Sequence, residues 1–307
     1  MAGDCSGVSA LAPSGTFPGV NVTSRRERFL TLLWVYDLRL GDLARVGAAA
    51  RYAGHPAIAA LAWELENDWL HELYSLSDPV LSGDDVVAGM RALAARDRLP
   101  EAYEWVARSA TWDEVVRFLA LEGGPDGGFD DLVALCQVGL SGEPKVELAR
   151  NYWDELGNGS LDRVHTVLHD RLVAAIDLPR VPLGEQPVEA LERAALGGLL
   201  STNHWLQPEM LGALGLIELQ AGPRCRLVLR AFDRLGAPAE AYPFYVEHAE
   251  VDPRHGKDWL DNAIVPVVAA HPEWAPRILR GALWRSRVNA AFFDAVWRDL
   301  SGAERAA

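Results

Sequence analysis

Lysine is nearly absent from this chain: 307 residues contain two, Lys145 and Lys257, and every other cationic side chain is arginine. With Lys+Arg at 29 against Asp+Glu at 43, the net charge is −14, which repels a phosphate backbone and excludes nucleic acid as a partner. The arginine bias, alongside abundant Ala and Gly, fits a GC-rich genome and carries no chemistry. Cysteine is also scarce. Cys5, Cys136 and Cys225 are odd in number and show no C-x2-C spacing, which excludes a disulfide framework and a zinc-ribbon site and fits a reducing cytoplasm. No apolar run approaches the ~18 residues that cross a bilayer. The first 22 residues lack a basic segment followed by a continuous apolar one, so they read as a flexible tail rather than a signal peptide. A soluble, cytoplasmic protein without a membrane partner is expected. Strand signals are missing too: no Val/Ile/Thr alternation is bounded by Asn-Gly or Asp-Gly turns.

What is present is helical periodicity from Arg25 onward, punctuated by Gly and Pro, with 50% hydrophobic residues and 11 Trp to fill a core. The class is all-α. Helices are expected at Pro144–Glu155, Ser160–Ile176, Pro208–Gln220, Pro223–Leu235, Ala239–Ala263 and Pro276–Leu300, among others. Residues 1–24 form the tail, 25–110 a helical region packed on the core, and 111–307 the core itself. No period near ~34 or ~40 residues recurs, which disfavours a helical solenoid.

The chemistry concentrates in YPFYVEHAEVDPRHGKDWLDN, where His248, Asp252 and His255 stand in an H-x3-D-x2-H spacing. On a helix turning ~100° per residue, the three fall within roughly 60° of one another. Glu155 and His165, in NYWDELGNGSLDRVH, are ten residues apart and would lie about 80° off a common face. Gly157 and Gly159 offer a local bulge that turns His165 toward Glu155. Glu218 is a lone carboxylate in the apolar stretch GALGLIELQAG. Together Glu155, His165, Glu218, His248, Asp252 and His255 make three carboxylates and three imidazoles, the donor set expected for two iron or manganese ions in a helical bundle.

These residues, with the phrases ARNYWDELGNG, LLSTNHWLQPEMLGALGLIEL and HAEVDPRHGKDWL, make the chain resemble the haem-oxygenase-like diiron oxidases, or iron-containing redox enzymes, from about Trp112 to Leu300. The resemblance implies a haem-oxygenase-like bundle without haem, here with an extra N-terminal helical region. It implies two Fe(II) ions held by the six residues, O2 as co-substrate and an external electron donor. The implied substrate is small, a free aliphatic amino acid or related carboxylate or amine, oxidised by C–H abstraction to a desaturated, ring-closed or cleaved product in natural-product biosynthesis. A homodimer stays open. Relatives that oxygenate an amine nitrogen use a further carboxylate from the preceding helix; Glu122, Asp130 and Asp131 are the candidates in this chain. An amine N-oxygenase and a non-catalytic metal- or ligand-binding helical protein are therefore the alternatives.

The other residues near these motifs have plainer expected roles. His55, His71, His169, His204 and His271 lack matching partners and read as structural, with His169 one turn beyond His165. Asp154 is expected to orient a neighbouring group or cap the bulge, and Asp258 to hold the second nitrogen of His255. Cys136, in LVALCQVGL, reads as a buried inert thiol. Arg224, Arg230 and Arg254 are candidates for pairing with a substrate carboxylate.

Overall fold

The computed structural model describes residues 22–83, 85–96, 98–123 and 128–305, with the side chains of 301–305 left aside. Most of the expected tail, including Cys5, lies outside the described residues. Among those described there is no strand: the protein is all-α. The chain divides into two compact units, Met1–Ser75 and Leu76–Ala307. The expected N-terminal region, 25–110, spans this boundary.

In the first unit, helices α1 (Arg25–Leu40), α2 (Leu43–Val46) and α3 (Pro56–Tyr74) close on Val35, Leu38, Ile58 and Ala62. Helix α1 starts at a capping box in which Ser24 and Glu27 satisfy each other's backbone donors. Phe29 meets Trp69 edge to face at 4.9 Å.

The second unit begins with α4 (Val86–Arg96), α5 (Glu101–Arg108), α6 (Trp112–Glu122), α7 (Phe129–Cys136), α8 (Gly142–Glu155), α9 (His165–Ala175) and α10 (Val188–Thr202). It ends with α11 (Gln207–Leu235), α12 (Tyr242–Asp258), α13 (Val265–Ala270) and α14 (Ala275–Arg305). Helices α11 and α14 run together at its centre because two glycines remove the side chains that would hold them apart. A Cβ on Gly212 would overlap the Ile278 carbonyl, and one on Gly281 the Glu209 carbonyl. The buried Glu209 carboxylate accepts from Arg277 at 2.7 and 2.9 Å at the same crossing.

The expected break between Pro208–Gln220 and Pro223–Leu235 does not occur; both belong to the uninterrupted α11, with Pro223 inside it. Packing overrides the local cost of the proline. Gly222 lies against Pro253 of α12, where a Cβ would come within 3.0 Å of the proline ring. Pro253 cannot donate to the carbonyl four residues back, that of Ala249, and Arg226 of α11 donates to it instead at 2.7 Å. The expected helix Ala239–Ala263 is α12 followed by a π-helical turn, Trp259–Ile264. Gly215 leaves space there for the Trp259 ring, whose indole N–H donates to the Leu211 carbonyl at 3.0 Å. Among the described residues no helix is long and apolar enough to cross a membrane.

Candidate metal centre

The helix expected to end at Glu155 ends there, the one expected from Ser160 begins only at His165, and the bulge expected between Glu155 and His165 is a complete break. Glu155 is the last residue of α8 and His165 the first of α9, separated by two short 3-10 turns at Gly157–Gly159 and Leu161–Arg163. Gly157, at φ +62°, forces the turn: a Cβ would sit 2.5 Å from the Arg163 carbonyl carbon. Asn158 follows at φ 54°, its amide donating to Asp154 Oδ1 at 2.7 Å. Across this break His165 Nδ1 lies 2.6 Å from Glu155 Oε2.

Helix α12 delivers the other histidines. His248 donates from Nδ1 to the Phe244 carbonyl one turn earlier at 2.7 Å, leaving Nε2 as its open lone pair. Its ring lies 4.5 Å from that of His165. Gly256 lets α12 press onto α11 beside Glu218, where a Cβ would meet the Glu218 carbonyl at 3.1 Å. His255 Nδ1 consequently lies 3.7 Å from Glu218 Oε2. Its Nε2 is taken by Asp154 at 2.8 Å, so Asp154 fills the place expected for Asp258. Asp258 is the last residue of α12, whereas Asp154 stands in the last turn of α8, within hydrogen-bond distance of the imidazole. Asn151, one turn before Glu155 on α8, donates to Glu218 Oε1 at 2.6 Å. Neither Asn151 nor the Phe244 carbonyl was singled out from sequence; for Asn151 the signal was its four-residue spacing from Glu155.

Two groups of donor atoms result, each within 4.8 Å: Glu155, His165 and His248, and Glu155, Glu218 and His255. Glu155 is common to both. Asp252 belongs to neither group but is buried beside them. Burial pushes its carboxyl well above the usual range, and the charges of Glu218, Glu155 and Glu247 push the same way. Burial lowers the His248 pKa, helped by His165. Burial also disfavours the charged form of His165, but Glu155 and Glu247 outweigh it and raise its pKa. His255 follows the same pattern: burial pulls down, Glu218 and Asp154 pull up harder, and the pKa reaches about 9.

Two donor atoms of this set, His255 Nδ1 and Asp252 Oδ2, are buried with no hydrogen-bond partner, and His165 Nδ1 has the Glu155 carboxylate beside it. Orphaned buried polar atoms are rare and costly, and two of them beside a cluster of carboxylates and imidazoles fit a divalent cation. The sequence matches the family described as iron-containing redox enzymes over residues 117–290, more than half its length. The chain belongs to that family. No curated protein matches it. Membership in the iron-containing redox enzymes makes the protein an oxidoreductase, and its Glu/His groups are of the kind that bind iron.

The three candidate extra carboxylates sit differently. Glu122 accepts from the Tyr103 hydroxyl at 2.9 Å and lies 4.0 Å from Arg193. Asp131 is exposed at the start of α7. Asp130 is half-buried, and its pKa is raised by burial first and then by the charges of Asp131 and Glu155. Burial drives the Cys136 thiol far above its ordinary range, as suits an inert core residue.

Proposed function

We propose that this protein is a non-haem diiron oxidase that uses O2 to oxidise a small substrate. The observation that carries the reading is the sharing of Glu155 between two donor groups that are otherwise separate. Glu155, His165 and His248 would hold one Fe(II) ion and Glu155, Glu218 and His255 the other, with Asp252 available to complete the set. Two such ions would supply the electrons that O2 activation requires.

The chain's own residues do the rest. Asn151 keeps the Glu218 carboxylate turned one way. The Phe244 carbonyl and Asp154 fix which nitrogen His248 and His255 present. Glu155, Glu218, Asp252 and His255 are all at most 5% exposed, so water is largely kept from the centre. The substrate we assign is a free aliphatic amino acid or a related carboxylate, the class that the family resemblance implies. C–H abstraction from that substrate, giving an alkene, a ring or a cleaved product, with electrons from an external donor, is the reaction we assign. Amine N-oxygenation is the second reading, favoured by the proximity of Asp130 to Glu155.

The test is an anaerobic Fe(II) titration followed by rapid mixing with O2 and a pool of free amino acids. Two equivalents of iron in the wild type, fewer than two in Glu155→Ala, and O2 consumption hastened by one amino acid are expected. A product oxidised at carbon supports the first reading and one oxidised at nitrogen the second. Failure of the wild type to bind iron ends both.

A further inference from the structure

The two α12 histidines face the centre through different nitrogens, for different reasons. His248 is held by its own helix, through the carbonyl one turn back at 2.7 Å. His255 has no such support. Its Nε2 lies 2.8 Å from Asp154 Oδ2 across the gap between α8 and α12, while its Nδ1 is buried without a hydrogen-bond partner and turned toward Glu218. An ionised carboxylate can only accept, so the proton that a neutral His255 ring keeps sits on Nε2, and Nδ1 is the nitrogen that faces the centre once its own proton is given up. The same Asp154 oxygen accepts from Arg254 at 2.7 Å, and the other from Asn158 at 2.7 Å. One carboxylate thus joins the end of α8, the turn that leads to His165, and α12.

Resting on the two-iron reading, we infer that Asp154 is a positioning residue that fixes His255 as an Nδ1 ligand and thereby governs one of the two iron positions and not the other. The selectivity follows from geometry. His255 belongs to the group with Glu155 and Glu218 and takes its hydrogen bond from Asp154 directly, whereas Asp154 reaches the group of His165 and His248 only indirectly, through Asn158 in the turn before His165. A purely structural role is the rival. Arg254 is 62% exposed, and a surface ion pair of this kind contributes little to stability and nothing to the difference between two metal positions.

The full chain is titrated anaerobically with Fe(II) against a competing coloured chelator, as wild type, Asp154→Ala and Asp154→Asn. In Asp154→Ala, one of the two equivalents weakens by about 10–100-fold and the other keeps its affinity; Asp154→Asn, which retains an acceptor oxygen, weakens the same equivalent less. Independently of any variant, the long-range 1H–15N spectrum of the wild type loaded with Zn(II) shows His255 protonated at Nε2 and bound through Nδ1. Equal weakening of both equivalents, weakening of neither, or His255 bound through Nε2 overturns the assignment. Should Asp154→Ala fail to fold, the Asn variant and the Zn(II) spectrum decide. If the wild type takes up fewer than two irons, the two-iron reading fails, and the His255 spectrum still judges Asp154 by itself.

Discussion

His255 and Asp252 store protons in the metal-free protein, and both make its stability fall as pH rises. His255 has its folded pKa raised from 6.5 to about 9. Its contribution is therefore fully present below ~6.5 and disappears as pH rises through ~9, a span on the order of 3 kcal/mol. Asp252 acts in the same direction, because its raised pKa favours the protonated folded state over the unfolded one at lower pH. Metal loading at the proposed centre would replace these protons. Melting of the metal-free protein is expected to drop by several degrees between pH 6.5 and 9.5, and melting of the iron-loaded protein to change much less; scanning calorimetry of both forms checks this. At this scale much of the centre was legible in sequence. H-x3-D-x2-H fixes a helical face whatever surrounds it. Asp154 was expected to orient a neighbouring group, but that the group is His255 was not legible, because the two meet across 101 positions and only folding brings them together.

The element that decides the site is the break between α8 and α9; sequence periodicity placed its start, the helix end at Glu155, and missed its length, since the next helix begins at His165 rather than Ser160. Gly157 and Gly159 signalled an interruption, but spacing alone could not separate a bulge from a complete break. Likewise Pro223 suggested a helix end, and tertiary packing against α12 overrode it. The distinction is testable at Gly157. Its φ is +62°, and a Cβ would lie 2.5 Å from the Arg163 backbone. Gly236 has a similar φ, +69°, with no atom within 4 Å of the would-be Cβ, so it isolates backbone strain from collision. Gly236→Ala is expected to cost on the order of 1 kcal/mol and leave iron uptake intact. Gly157→Ala should cost more, about 2–4 kcal/mol, and lose iron by separating His165 from Glu155. Urea midpoints and iron stoichiometry of the two variants are the measurements, and equal behaviour of the two would refute the role given to the turn.

For the whole molecule, composition and periodicity were enough for the all-α class, since nothing in the chain competes with helix. Where compact units begin depends on contacts between distant segments, such as α5 with α11, which no local pattern encodes. All six candidate ligands lie in the unit beginning at Leu76. A fragment from Leu76 to the C-terminus is therefore expected to bind the same number of irons as the full chain, by anaerobic titration with circular dichroism as the check on folding. A folded fragment with lower stoichiometry would show that the first unit supports the site.

Cys136 and Cys225 are unpaired, so the described chain has no covalent cross-link of its own. The arrangement of α8, α9, α11 and α12 around Glu155 offers an equivalent. An ion pair of metals there would close a short ring from Glu155 to His165 and long rings out to Glu218, His248 and His255. Each closure removes freedom from the unfolded chain as a disulfide does, by roughly 3 kcal/mol for a ring of ~15 residues and only slowly more for longer ones. In a protein that carries no disulfide among its described residues, iron would be fastener as well as reagent, and the folded lifetime of the chain would track its iron content.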